Sequence, residues 1–127
     1  MATMRYLVTD VVAAVDFYVD RLRFTLVERF GPAMAIVRRD DLVLWLAGPA
    51  SSAARAMPDG QRPGPGGWNR VVIETDDLDG LIEQLRASGA VFRNDVVVGP
   101  GGRQILVEDP SANVIELFEA ANAGDST

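Results

Sequence analysis

The chain has 127 residues, about the size of one ordinary domain, and 48% of them are hydrophobic, enough to bury a single substantial core. Its 18 carboxylates outnumber its 12 cations for a formal charge of -6, so nucleic acid, which is gripped by clustered cations, is not an expected partner. There is no cysteine and no histidine, and every cation is arginine, which removes disulfides, thiolate and imidazole chemistry, lysine Schiff bases and zinc sites built from nitrogen and sulfur ligands.

In chain order, residues 5–8 read as a short strand leading into Asp10, a good helix N-cap. Val11, Val15, Tyr18, Val19 and Leu22 then recur at helical spacing, so a helix over 12–21 buries that face and turns Asp16, Asp20 and Arg21 to water. Strands are predicted at 24–30, 34–38 and 42–47, with Gly31-Pro32 as the first turn and Arg39-Asp40-Asp41 as the second. Residues 48–67, GPASSAARAMPDGQRPGPGG, carry most of the prolines and almost no bulky apolar side chain, the composition of a linker or a lid over a site. The first pattern then returns. A strand at 70–74 leads to Asp76 or Asp77 as cap of a helix with Leu78, Leu81, Ile82 and Leu85 inward, ended by Gly89. Residues 91–98 read mainly as strand, 99–102 as a turn, 104–108 with 113–119 as a hairpin around Asp109-Pro110-Ser111-Ala112-Asn113, and 120–127 as a frayed tail. Thr9-Asp10 and Thr75-Asp76 stand 66 positions apart, an offset that maps Val15 onto Leu81 and Val19 onto Leu85. The expected architecture is therefore α+β: two βαβββ modules, 4–48 and 68–119, each leaving one curved sheet face bare that a second copy must cover to close a core or a cavity. No apolar run approaches the roughly 20 residues that span a bilayer and the N-terminus lacks a signal pattern, so the protein is read as soluble and cytoplasmic, with no membrane partner.

The two βαβββ units, the helix-opening Thr-Asp, the Phe17-Tyr18 pair and the late GGRQILVEDPSANVIELFE resemble the vicinal oxygen chelate superfamily, which includes glyoxalase, bleomycin-resistance and extradiol dioxygenase proteins. The similarity covers residues 4–119 and is most specific where Asp109-Pro110-Ser111-Ala112-Asn113 and Ile115-Glu116-Leu117 match the family's DP-x-G-N-x-x-E-L ending. The resemblance implies the glyoxalase-like fold, in which the two modules form a curved mixed-sheet cup, and a homodimer whose modules pair edge to edge. Carried onto this sequence, the four ligand positions of metal-dependent relatives fall on Thr3, Trp45, Arg70 and Glu116. Only Glu116 can ligate a divalent ion, and a single carboxylate beside a guanidinium does not make an oxygen-ligated site, so neither metal nor other cofactor is expected. Leu22-Arg23-Phe24 stands where relatives often carry leucine, glycine and an aromatic residue. A longer or differently terminated helix is expected there, because a left-handed residue with a side chain is strained.

Strand alternation assigns faces. If Glu108 opposes Val114 and Leu106 opposes Glu116, then Ile105, Val107, Ile115 and Leu117 form an aliphatic face against the helices. The opposite face presents Gln104, Leu106, Glu108, Val114, Glu116 and Phe118, joined by Arg70, Val72 and Glu74 and, in the first module, by Trp45. A mixed lining of this kind suits a small-molecule pocket. Glu116 reads either as an acid–base group between aliphatic neighbours or as the structural partner of Arg70. Trp45 is either core or a stacking platform, and Trp68 clamps a ligand, seals a dimer or anchors the loop before it. No serine has an activating base, and Gly99-Pro100-Gly101-Gly102 lacks the following helix of a phosphate cradle.

The leading functional expectation is a metal-independent binding protein that sequesters an aromatic or partly cationic small molecule in a dimeric cup, through Trp45, Trp68, Arg70, Val72, Glu74, Gln104, Leu106, Glu116 and Phe118. The alternative is a metal-independent isomerase, lyase or cyclase with Glu116 transferring the proton and Arg70 stabilising an oxyanion. A degenerate module acting only as a dimerisation or regulatory partner is the third.

Overall fold

In the computed structural model, which describes residues 2–121, strand β1 (Ala2–Leu7) begins before the apolar run at 5–8. It does so because it pairs in parallel along the whole of β4 (Leu42–Ala47), with Ala2 opposite Leu42 and Leu7 opposite Ala47. Asp10 then accepts hydrogen bonds from the backbone N–H groups of Val12 (3.0 Å) and Ala13 (3.2 Å), satisfying two donors that the first helical turn leaves without partners. The helix it caps, α1 (Val11–Asp16), widens into π-helical turns over Phe17–Arg21. Those turns point Phe17 and Tyr18 inward together. Tyr18 is fully buried and meets both Phe17 and Phe24 edge to face, with centroids 5.4 Å apart in each pair, while Val19 is left half-buried. Arg23 follows at φ 61°. The altered helix end therefore does not avoid the left-handed conformation, contrary to expectation, because the chain must still reverse so that the Phe24 N–H can bond the Tyr18 carbonyl (2.9 Å).

β2 (Thr25–Phe30) and β3 (Met34–Arg39) complete a sheet of order β1-β4-β3-β2. β2 is its edge, exposed along its length, with a bulge at Val27 between the pairs Leu26–Val37 and Glu28–Ile36. Residues 48–67 contain one short 3₁₀ turn (Ser52–Ala54) and end where the Gly66 N–H donates to Asn113 Oδ1 (2.9 Å).

The second half repeats the scheme with β5 (Arg70–Glu74), α2 (Leu78–Ala87), β6 (Val91–Phe92), β7 (Val97–Gly99), β8 (Gly102–Glu108) and β9 (Val114–Ala120), in the order β5-β9-β8-β6 with β7 also paired to β8. Asp77 is the cap of α2, accepting from the Gly80 N–H (3.0 Å), and Gly89 ends the helix region at φ 86°. The single strand expected over 91–98 is broken. Arg93 N–H still bonds the Leu106 carbonyl, but the Leu106 N–H is taken by the Asn94 side chain (2.9 Å), and the chain leaves the ladder until Val97. The hairpin pairs as predicted, Leu106 opposite Glu116 and Glu108 opposite Val114, and Ile105, Val107, Ile115 and Leu117 are wholly shielded from solvent. The tail expected to fray lies outside the described residues from 122 onward. No helix among the described residues is long and apolar enough to cross a membrane.

The two sheets share one strand order, and their equivalences correct the repeat offset. The N–H groups of Val8 and Thr75 donate to the carbonyls of Ala47 and Phe118, both at 2.9 Å, and the caps are Asp10 and Asp77. Equivalent residues in the two halves thus stand 67 positions apart, pairing Val15 with buried Ile82 rather than with Leu81. The offset of 66 holds only at the left-handed helix ends, Arg23 and Gly89. The π-helical turns absorb the one surplus residue. By its internal contacts the chain divides into two units, Met1–Gly67 with Pro110–Asn113, and Trp68–Asp109 with Val114–Thr127.

Candidate functional site

In the second unit, the parallel β5–β9 ladder sets Arg70, Val72 and Glu74 opposite Val114, Glu116 and Phe118, and the β8–β9 ladder sets Gln104, Leu106 and Glu108 opposite Phe118, Glu116 and Val114. Side chains opposite one another share a face, so every predicted lining residue of this module on β5, β8 and β9 lies on the same side of one sheet. Arg70 donates from Nε (3.1 Å) and Nη2 (3.0 Å) to the same Glu116 oxygen, Oε1, and from Nη1 to the Trp68 carbonyl (3.4 Å). The pair is largely shielded, with side-chain exposures of 30% for Arg70 and 12% for Glu116.

Arg93, which sequence reasoning passed over, organises the rest. Its Nε donates to Glu108 Oε2 at 2.8 Å, and its guanidinium lies 4.5 Å from the centroid of the Trp68 ring. Trp68 is 67% exposed. The predicted acids Glu108 and Glu116 are thus each neutralised by an arginine, whereas Glu74 is exposed and has no ion pair among the described residues. What this face offers is an open indole backed by a cation at the Arg70–Val114–Glu108 end, with exposed Val72 in the middle and half-buried Gln104 and Phe118 at the other end of the ladder.

The first unit carries a parallel arrangement. Trp45 on β4 stands opposite Arg5 on β1 and Ile36 on β3, and the Arg5 guanidinium lies 5.0 Å from the indole centroid. Trp45 is half-buried, and Leu44 and Leu46 on its other face are fully buried. Arg5 was legible in principle, since a parallel strand pairing of the right register places it beside Trp45; Arg93 carried no such signal.

The Asp-Pro-Ser-Ala-Asn turn is structural. Buried Asn113 donates from Nδ2 to the Leu7 carbonyl (2.7 Å) and accepts from Gly66, while Ser111 Oγ accepts from the Thr9 N–H (2.9 Å). Ser111 thus holds backbone. Ala112 sits at φ 65°, in the place where the family pattern has glycine.

The positions carried over from metal-dependent relatives hold a hydroxyl, an indole, a guanidinium and one carboxylate, on Thr3, Trp45, Arg70 and Glu116. The carboxylate's Oε1 already accepts two hydrogen bonds, and among the described residues no three Asp, Glu, His or Cys side chains gather into a ligand cluster. This donor set does not fit a divalent ion.

The family model of the glyoxalase/bleomycin resistance protein/dioxygenase superfamily matches residues 1–117. The chain belongs to that superfamily. None of the curated protein sequences matches it. Among solved structures of this fold, TnmS3, an antibiotic binding protein from Streptomyces sp. CB03234, is 27% identical, with 94% of this chain and 93% of that chain covered and a TM-score of 0.71. A superfamily member from Sphaerobacter thermophilus DSM 20745 is 26% identical over 94% of this chain and 95% of that one, with a TM-score of 0.73. Lactoylglutathione lyase from Agrobacterium tumefaciens, 21% identical over 94% and 92% of the two chains with a TM-score of 0.74, is similar in fold alone.

Proposed function

We propose that this superfamily member is a metal-independent small-molecule-binding protein that sequesters an aromatic or partly cationic compound. The observation that carries the reading is the double hydrogen bond from Arg70 to Glu116. It commits the one carboxylate left at a family ligand position to an internal partner, which disfavours both metal ligation and proton transfer by Glu116. In the second unit the exposed Trp68 ring with Arg93 behind it supplies flat apolar surface for an aromatic ligand, and Glu74, without an ion pair among the described residues, supplies a charge for a cationic substituent; in the first unit, Trp45 with Arg5 offers a surface of the same kind. The likeness to an antibiotic binding protein supports the same reading. Exposed Val72, Val91, Val97 and Val98 on the second unit favour a homodimer that covers apolar surface.

Isothermal titration against glycopeptide and polycyclic antibiotics tests the proposal. Saturable binding that survives exhaustive chelation and is weakened by Trp68→Ala is expected. Heat from no compound at saturating dose, or stoichiometric zinc, iron, nickel or manganese in the purified protein, overturns it. The rival reading, a metal-independent isomerase, lyase or cyclase, requires that Glu116→Gln abolish turnover of a bound substrate.

A further inference from the structure

At the Trp68 end of the second unit's face, three side chains follow one another outward from the sheet. Glu108 stands on β8, and its Oε2 accepts from Arg93 Nε at 2.8 Å. The Arg93 guanidinium lies over the Trp68 ring, 4.5 Å from its centroid. Only 16% of the Arg93 side chain is exposed, against 67% of Trp68, so the cation is the inner member of this pair and the indole the outer one. Trp68 is held at its backbone as well, since its carbonyl accepts from Arg70 Nη1 (3.4 Å) while Arg70 is bonded to Glu116. Each of the two paired acids thus fixes an arginine, and each arginine fixes one part of Trp68. A ring held in this way loses less freedom when a ligand stacks on it.

The order of the layers bears on the charge of what stacks there. An aromatic ring attracts a cation through the negative potential of its faces, and Arg93 already draws on that potential from beneath. A cationic ring laid on the outer face would stand roughly 8 Å from the guanidinium, allowing about 3.5 Å for ring contact, with an indole rather than salt water between the two charges. An uncharged ring meets no such repulsion. Glu108 tempers the effect without cancelling it, because the carboxylate sits at the Nε edge whereas the guanidinium carbon sits over the ring. Glu74 stands at the other end of the face, four residues from Arg70 along β5 and therefore roughly 13 Å away.

We propose that Arg93 is the specificity-determining residue of this platform: it biases the outer face of Trp68 toward uncharged aromatic rings and against cationic ones, so that a positive charge on the ligand belongs on a substituent directed toward Glu74. The inference rests on the small-molecule reading above and narrows the class of compound which that reading admits.

The test uses acridine and N-methylacridinium, flat three-ring probes of nearly one shape that are uncharged and cationic, respectively, at mildly alkaline pH. Each is titrated into the full chain, and the ratio of the two affinities is the readout, because damage to the fold weakens both probes alike. Replacing Arg93→Gln together with Glu108→Gln removes one charge of each sign and leaves the formal charge at -6. In that double variant the preference for acridine should fall at least about threefold. Glu108→Gln alone keeps the guanidinium and strips its counter-charge, so it should raise the preference. Trp68→Ala should weaken acridine about tenfold. A ratio unchanged in the double variant, a preference lowered by Glu108→Gln alone, or binding of neither probe to the unmodified protein overturns the inference. Antibiotic binding accompanied by an unchanged ratio sinks this inference alone, whereas an antibiotic panel without heat sinks the reading on which it rests.

Discussion

Arg70 reaches Glu116 diagonally. In the parallel ladder Glu116 stands opposite Val72 and Arg70 opposite Val114, so the guanidinium must extend along the sheet to place Nε and Nη2 within 3.1 and 3.0 Å of Oε1. Two donors converging on one oxygen across a diagonal suit the forked guanidinium of arginine. It also leaves the position directly beside Glu116 to an exposed apolar residue, Val72, so that acid, cation and apolar surface adjoin on one face.

The pair should therefore contribute to stability as a unit. Arg70→Ala strands a shielded carboxylate and is expected to lower the unfolding free energy by about 2 kcal/mol, with Glu116→Gln costing less because a neutral amide oxygen still accepts. Urea denaturation of both single variants and of the double variant checks this; strict additivity would mean that the two groups do not interact.

Asn113 holds Leu7 and Gly66 through separate atoms of one amide. Replacing it by alanine leaves a backbone donor and acceptor short of partners, for an expected loss of about 3 kcal/mol. Asn113→Asp retains only an acceptor and should turn the contact with the Leu7 carbonyl from a bond into a repulsion. Thermal unfolding of the two variants, with aspartate no better than alanine, is the expected result.

Ala112 is strained at φ 65° and exposed, so Ala112→Gly removes a steric penalty without opening a void. After allowing for the greater freedom of glycine in the unfolded chain, a gain of up to about 1 kcal/mol is expected in chemical denaturation. A loss would indicate that the methyl group makes a contact of its own.

Trp68 is the exposed indole and Trp45 the half-buried one. Trp68→Phe should remove the component of tryptophan fluorescence most accessible to acrylamide, and Trp45→Phe the more protected one. If an aromatic ligand stacks on Trp68, its binding should quench the former emission, and Trp68→Ala should weaken it by about tenfold, the worth of one stacking contact.

Much of this was legible from residue order. From a pairing that sets Leu106 opposite Glu116, the alternation through Ile105, Val107, Ile115 and Leu117 assigned the hairpin's buried face, and both the pairing and the face are found. Alternation also put Arg70 and Glu116 on cup-facing sides of their strands, but that the two adjoin came from the family's ligand positions, because the parallel β5–β9 pairing joins residues 46 apart and is no local rule. Arg93 did not follow. It lies in a run of strand formers, and its turn toward Glu108 and Trp68 depends on Asn94 capturing a backbone donor twelve positions away, at Leu106, which no local pattern encodes. The repeat offset was misread for a related reason: an aspartate at either of two adjacent positions can cap α2, and only the bond from Gly80 to Asp77 decides between them.

The π-helical turns over Phe17–Arg21 bear on how such a duplicated architecture diverges. A residue gained within a strand would turn the faces beyond it inside out. Here the wall element swallows the insertion as a local widening, so the hydrogen-bonded framework downstream keeps its phase. Helical walls, rather than connecting loops alone, can thus serve as the tolerant seams along which one lobe drifts in length while its twin stays fixed.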